Sequence, residues 1–117
     1  MLHKHHICVC ICTYKRLKYL IRLLRGLEKQ KTEDLFDYSI VVVDNDRAES
    51  AKQTVETYTE QSKISINYFV QSKQNIALAR NKAVENSSGD FLAFIDDDEF
   101  PGANWVLGLY KAIYKYF

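Results

Sequence analysis

The chain has 117 residues, enough for one domain with a buried core and too few for two. Its 47% apolar and 26% charged residues have the balance of a soluble globular fold, and a net charge of +1 argues against a generic nucleic-acid binder. No apolar run approaches the ~20 residues of a membrane span, and Ile7–Cys12 is too short for the core of a secretory leader. The charge is unevenly placed: residues 1–31 carry eight Lys or Arg and one acid, whereas residues 32–60 carry eight acids and two bases. A basic first helix beside acidic clusters suits an anionic, metal-bound ligand, although a solvated helix face explains most of these cations equally well.

The three histidines, His3, His5 and His6, stand at the terminus and are expected to be exposed. Ile7–Cys12 is β-branched or Cys throughout, the pattern of a strand covered on both faces. Cys8, Cys10 and Cys12 share one side of it; i,i+2 cysteines in a strand are badly placed for a disulfide, so free, buried thiols in a reducing compartment are expected. The polar run Thr13–Arg16 ends the strand. Leu17, Leu20, Ile21, Leu24 and Leu27 then recur at helical spacing and predict a first helix that stops in the polar stretch Lys29–Asp34.

Tyr38–Val43 is the second predicted strand, ending in Asp44-Asn45-Asp46. Asp46 with Glu49 three later has the form of a capping box. Ala48, Ala51, Val55 and Tyr58 give a second helix its apolar stripe as far as Gln61. A less completely buried third strand alternates from Ile64 to Val70. A polar loop follows, with Asn75 as the cap of a third helix over Ile76–Asn86, which Ser87-Ser88-Gly89 stops. Phe91–Ile95 is read as a buried fourth strand. It must end where Asp96-Asp97-Asp98-Glu99 begins, because burying four unpaired carboxylates is too costly. A last helix is predicted from Asn104 onward, with Trp105, Leu109, Ala112, Ile113 and Tyr116 on its apolar face. The order βαβαβαβα implies an α/β fold: a mainly parallel sheet, Rossmann-like, with helices on both faces.

Three polar clusters, Thr13–Arg16, Asp44–Asp46 and Asp96–Glu99, follow three strands. A parallel sheet gathers them at one carboxyl edge, where ligands bind in open α/β folds. Crowded carboxylates there call for a hard divalent cation, Mg²⁺ or Mn²⁺. Asp96 and Asp98, two apart, would grip it together if the chain stays extended. Thr13 and Tyr14 are candidates to line a base, Asp44 to accept from a base or ribose donor, and Arg80 to meet phosphate near a helix N-terminus. Each has a structural alternative: a turn for Asp44 and Asp46, a salt bridge for Arg80, and core packing rather than a sugar platform for Trp105.

Cys12-Thr13-Tyr14-Lys15-Arg16, Val42-Val43-Asp44-Asn45, Asn75-Ile76-Ala77-Leu78-Ala79-Arg80-Asn81 and Phe94-Ile95-Asp96-Asp97-Asp98-Glu99 occur in an order and spacing that resemble family 2 glycosyltransferases of the GT-A fold, over about residues 7–110. The resemblance implies a nucleotide-sugar site formed by Thr13, Tyr14, Arg16, Asp44, Arg80, Asp96 and Asp97. Asp96 and Asp98 match an Asp-x-Asp motif, with Asp98 on a Mn²⁺ or Mg²⁺ ion and Asp96 nearer the ribose. It implies a nucleoside-diphosphate sugar donor, a UDP-sugar before others, and inverting transfer to a hydroxyl of a carbohydrate, lipid-carried or protein acceptor. No nucleic-acid partner is expected. Localisation would be cytoplasmic, with peripheral association at the inner face of a membrane where the acceptor is lipid-carried. Family domains are longer than residues 1–117, so the chain is expected to be one nucleotide-sugar-binding domain without the acceptor half. The catalytic base is expected downstream of Phe117, and the apolar surface left open would favour a homodimer. A catalytically inactive nucleotide-binding module shares the same site. A receiver-type phospho-switch needs acids after its first strand, where this chain has Thr-Tyr-Lys-Arg.

Overall fold

The computed structural model describes residues 4–116, with side chains as far as Lys115. Strands β1 (His5–Thr13), β2 (Phe36–Asp44), β3 (Ile66–Val70) and β4 (Phe91–Phe94) alternate with helices α1 (Leu17–Glu28), α2 (Lys52–Gln61), α3 (Ile76–Glu85) and α4 (Trp105–Tyr116). The sheet has the order β3-β2-β1-β4, and all three pairings are parallel. The expected α/β alternation is therefore present.

Strand alternation sorts the core into two layers. Ile7, Val9 and Ile11 of β1, with Ile40 and Val42 of β2, point to the side occupied by Leu20, Leu23, Leu24 and Leu27 of α1, Val55 of α2 and Val106 of α4. Cys8 and Cys10, with Val41 and Val43, point to the other side and meet Ala79 and Ala83 of α3. The cysteines are free thiols, with Cys8 and Cys10 buried. From β1 to β3 the chain steps outward in one direction; α3 then returns it past β1 to β4. A right-handed crossover that reverses direction must pass over the opposite face, which is why α3 lies alone on the cysteine side. The reversal puts a switch point between β1 and β4, where a crevice opens at the strand ends.

Several expectations need correction. The second helix starts at Lys52 rather than near Ala48, and Ala48 is exposed. Asp46 does not form a capping box: its Oδ1 accepts from the Ala48 amide at 3.0 Å, a local turn that holds the chain back from helix. Glu49, the other half of that box, sits at φ 57°. The fourth strand is an edge strand, with Leu92 40% and Phe94 42% exposed, because nothing pairs with its outer side among the described residues. The last helix buries Val106, Leu107 and Tyr110 rather than the Trp105–Leu109–Ile113 stripe. Those residues line an apolar groove beside Phe91 and Phe94 instead; Tyr116's side chain lies outside the described set. His5 and His6 belong to β1 and are half-buried. His5 Nδ1 is 2.8 Å from the Tyr110 hydroxyl, and His6 Nε2 is 2.8 Å from that of Ser39. His3 lies outside the described residues.

Candidate active site

The carboxyl ends of β1, β2 and β4 and the first turns of α3 enclose a cleft of about 520 Å³. Thr13, Tyr14, Arg16, Arg80, Asp96, Asp97 and Asp98 all line it, as do Cys12, Asn45 and Ile76. Of the predicted site residues, only Asp44 does not. It is fully buried one layer back, and its carboxylate accepts from the amides of Asp46 (3.0 Å) and Ala51 (2.9 Å) and from the Tyr68 hydroxyl (2.7 Å). A carboxylate offers about four lone-pair sites, so one remains after these three bonds.

The acidic run does not stay extended. The Glu99 amide donates to the Asp96 carbonyl at 3.1 Å, closing a β-turn over Asp96–Glu99. The turn separates its acids by role. Asp97 points inward, 5% exposed, while Asp96 and Asp98 face solvent at the cleft. Asp97 Oδ2 accepts from the Thr13 hydroxyl at 3.0 Å, and its Oδ1 from Arg16 Nη1 at 3.1 Å. Burial raises the Asp97 carboxyl above the usual carboxylate range; the Thr13 hydroxyl and Arg16 pull it back, and Asp98 and Asp96 push it up. The second Arg16 nitrogen lies 3.7 Å from Asp98, so one guanidinium spans both carboxylates.

Asn45 organises the opposite wall, a role the reading of the sequence left unassigned. Its amide donates to the carbonyls of Gln71 and Lys73, both at 2.8 Å, and its Oδ1 accepts from the Asn75 amide at 3.0 Å. Asn75 then caps α3 by accepting from Leu78, as its position predicted. This fixes where α3 begins and brings Arg80, one turn in, to the cleft. Burial raises the Cys12 thiol to about 11, against the opposing pull of Arg80, so Cys12 is a neutral wall residue at physiological pH.

Among the described residues no three His, Cys, Asp or Glu side chains converge as a preformed metal cage. Mg²⁺ and Mn²⁺ do not need one where phosphate oxygens and water complete their shells; one or two carboxylates suffice. Asp96 and Asp98 at the cleft fit that donor set.

The family model for glycosyl transferase family 2 matches residues 8–117. The chain belongs to that family. This family 2 chain is 38% identical over 104 residues to the succinoglycan biosynthesis protein ExoM of Rhizobium meliloti, covering 89% of this chain and 33% of ExoM. It is 30% identical over 95 residues to the poly(ribitol-phosphate) β-N-acetylglucosaminyltransferase TarS of Staphylococcus aureus, covering 79% of this chain and 16% of TarS. The crystal structure of TarS residues 1–349 superposes with a TM-score of 0.80 at 24% identity, over 95% of this chain and 33% of that one. The same TarS fragment has been crystallised with UDP-GlcNAc. A mannosyltransferase of Pyrobaculum calidifontis, in complex with GDP-Man and Mn²⁺, superposes with a TM-score of 0.75 at 19% identity, over 87% of this chain and 30% of that one. The family 2 chain thus spans a third or less of the length of these relatives. No helix among its described residues is long and apolar enough to cross a membrane.

Proposed function

We propose that the cleft binds a nucleoside-diphosphate sugar together with Mn²⁺ or Mg²⁺, and that the whole protein transfers the sugar, with inversion, to an acceptor hydroxyl. The observation that carries this reading is the gathering of side chains from three strand ends and one helix start around a single cleft at the carboxyl edge of the sheet. The complexes of TarS with UDP-GlcNAc and of the mannosyltransferase with GDP-Man and Mn²⁺ support it by likeness of fold. A UDP-sugar is the favoured donor. The acceptor is a hydroxyl of a carbohydrate, a lipid-carried sugar or a protein.

In this reading Tyr14 and Thr13 line the base, and Asp44, buried behind the cleft, holds the chain after β2 through the Asp46 and Ala51 amides instead of touching the ligand. Arg80 meets phosphate oxygens with its fork of donors. Asp96 and Asp98 hold the cation, with Asp96 nearer the ribose. A bound cation supplies charge stabilisation on the diphosphate as it leaves. Asp97 and Arg16 hold the turn that carries both carboxylates, and Arg16 has free donors for the diphosphate.

Calorimetric titration of the chain with UDP in Mn²⁺, then in EDTA, beside Asp98→Ala tests the reading. Binding that is tighter in Mn²⁺ than in EDTA is expected, with the Mn²⁺-dependent gain lost in the variant. A folded chain that binds neither UDP nor GDP under any of these conditions would falsify it.

A further inference from the structure

The acidic turn is anchored from outside the cleft as well as from within. Arg22 stands six residues after Arg16, and its Nη2 donates to the backbone carbonyl of Asp98 at 2.7 Å. Tyr19 sits between the two arginines. Its ring centroid lies 5.1 Å from the Arg16 guanidinium carbon and 5.4 Å from that of Arg22. The Phe100 ring, just past the turn, lies 5.8 Å from Arg22 on its own account. Residues 16, 19 and 22 are three apart and meet along one side of the helix start. Neither ring is core: Tyr19 is 43% and Phe100 62% exposed.

A planar guanidinium stacked on an aromatic face loses rotational freedom yet keeps its edge N–H groups for an acceptor. Arg22 is therefore oriented before it meets the Asp98 carbonyl. The turn needs such a tie. It packs four like charges into consecutive positions, and one backbone hydrogen bond of 3.1 Å closes it. Arg16 holds it through the Asp97 carboxylate, and Arg22 holds it one residue later through the main chain. The Arg22 bond leaves the Asp98 carboxylate itself at the cleft.

We infer that Arg22, oriented by Tyr19 and Phe100, is a positioning residue that fixes the Asp98 backbone so that its carboxylate is presented to a cation in the cleft. The inference rests on the reading of Asp98 as a metal ligand given above. Arg22 is not part of the cleft lining; it acts through Asp98.

The test compares the full chain with Arg22→Met, Arg22→Lys and Tyr19→Leu by two readouts. One is amide hydrogen exchange over residues 96–99 in EDTA without nucleotide. The other is calorimetric UDP binding with Mn²⁺ and with EDTA. Arg22→Met is expected to speed exchange at the Glu99 amide and to weaken binding in Mn²⁺ by about tenfold, as outer-shell partners of metal ligands do. Binding in EDTA should match wild type. Arg22→Lys should recover only part of the loss, because it keeps a donor for the carbonyl but not the planar group that the rings orient, and Tyr19→Leu should also fall between. Exchange unchanged in Arg22→Met overturns the inference, as does a loss of equal size with and without Mn²⁺. A folded wild-type chain that binds no UDP in Mn²⁺ overturns instead the donor-site reading, while the exchange arm still decides whether Arg22 holds the turn.

Discussion

Thr13 and Asp97, 84 residues apart, are joined by a 3.0 Å hydrogen bond in which the hydroxyl donates to a buried carboxylate. The bond ties the end of β1 to the turn after β4, across the switch point of the sheet. Arg16, just past that strand, sets a positive charge 3.1 Å from the buried Asp97 carboxyl and opposes the rise that burial causes. The middle acid of the run is thus a structural member, and its neighbours on either side are left to the cleft.

Asp97 should leave a signature in the pH dependence of stability. Burial raises its carboxyl above the usual range, so the folded chain holds this proton more tightly than the unfolded chain does. Its contribution to stability is full below the unfolded value and is lost as the pH rises through the raised folded value. Asp97→Asn removes that loss and keeps an acceptor for Thr13. Urea unfolding from about pH 4 to pH 7 should therefore show stability falling less, or rising more, with pH in the variant. Identical slopes in the two proteins would refute the assignment.

Arg80 should matter for ligand and hardly at all for folding. It is exposed and lines the cleft, with no side-chain hydrogen bond or ion pair among the described residues to hold it to the sheet below. A bond to a charged phosphate contributes roughly 1.5–3 kcal/mol. Arg80→Met should then weaken UDP binding about ten- to hundredfold, in Mn²⁺ and in EDTA alike, and change unfolding free energy by less than about 0.5 kcal/mol. Unchanged affinity would remove Arg80 from the phosphate site.

Much of this arrangement was legible in the sequence because strands and helices announce themselves by period. The unbroken Ile7–Cys12 run marked a strand covered on both faces, and Asn75 marked the start of α3. The misreadings came where one local pattern serves two structures. Asp46 and Glu49 have capping-box spacing, but Asp46 satisfies the Ala48 amide in a turn first. In α4 two apolar stripes compete, and only packing into the core, where Tyr110 meets Phe36 and His5, selects Val106 and Tyr110 over Leu109 and Ile113. The division of labour among Asp96, Asp97 and Asp98 was hidden because it depends on Thr13 and Arg16, more than 80 residues earlier. The work of Asn45 was missed because its partners are backbone atoms, which carry no sequence signal.

Asn45 offers a test by charge. Its amide group donates to two carbonyls at 2.8 Å, so Asn45→Asp would turn a carboxylate oxygen toward them. Asn45→Ala merely deletes the bonds and should destabilise by about 2 kcal/mol. Asn45→Asp should be worse at neutral pH, because repulsion adds to the loss. The gap should narrow in acid, where a protonated Asp recovers one donor. Chemical denaturation of both variants at two pH values measures this, and an aspartate variant as stable as wild type at neutral pH would show that the loop does not depend on Asn45.

Gln30 plays the matching part at the far end of α1. It is buried, and its Nε2 donates to the carbonyls of Gly26 (3.1 Å) and Gly102 (2.7 Å), while its Oε1 accepts from the Val106 amide (3.0 Å) in the first turn of α4. One side chain therefore caps the buried first turn of α4 and ties α1 to the segment that leads out of the acidic turn. The Lys31 amide adds a parallel bond to Ala103 at 2.8 Å. Gln30→Met keeps the volume and removes all three bonds, leaving the Val106 amide without a partner, while the Gly102 carbonyl keeps only the Trp105 amide at 3.2 Å. Unsatisfied buried groups cost about 1–3 kcal/mol, so unfolding free energy should fall by about 2 kcal/mol. UDP affinity of the folded fraction should hold, because Gln30 is remote from the cleft lining. Loss of affinity without loss of stability would mean that this staple acts on the acidic turn rather than on the docking of α4.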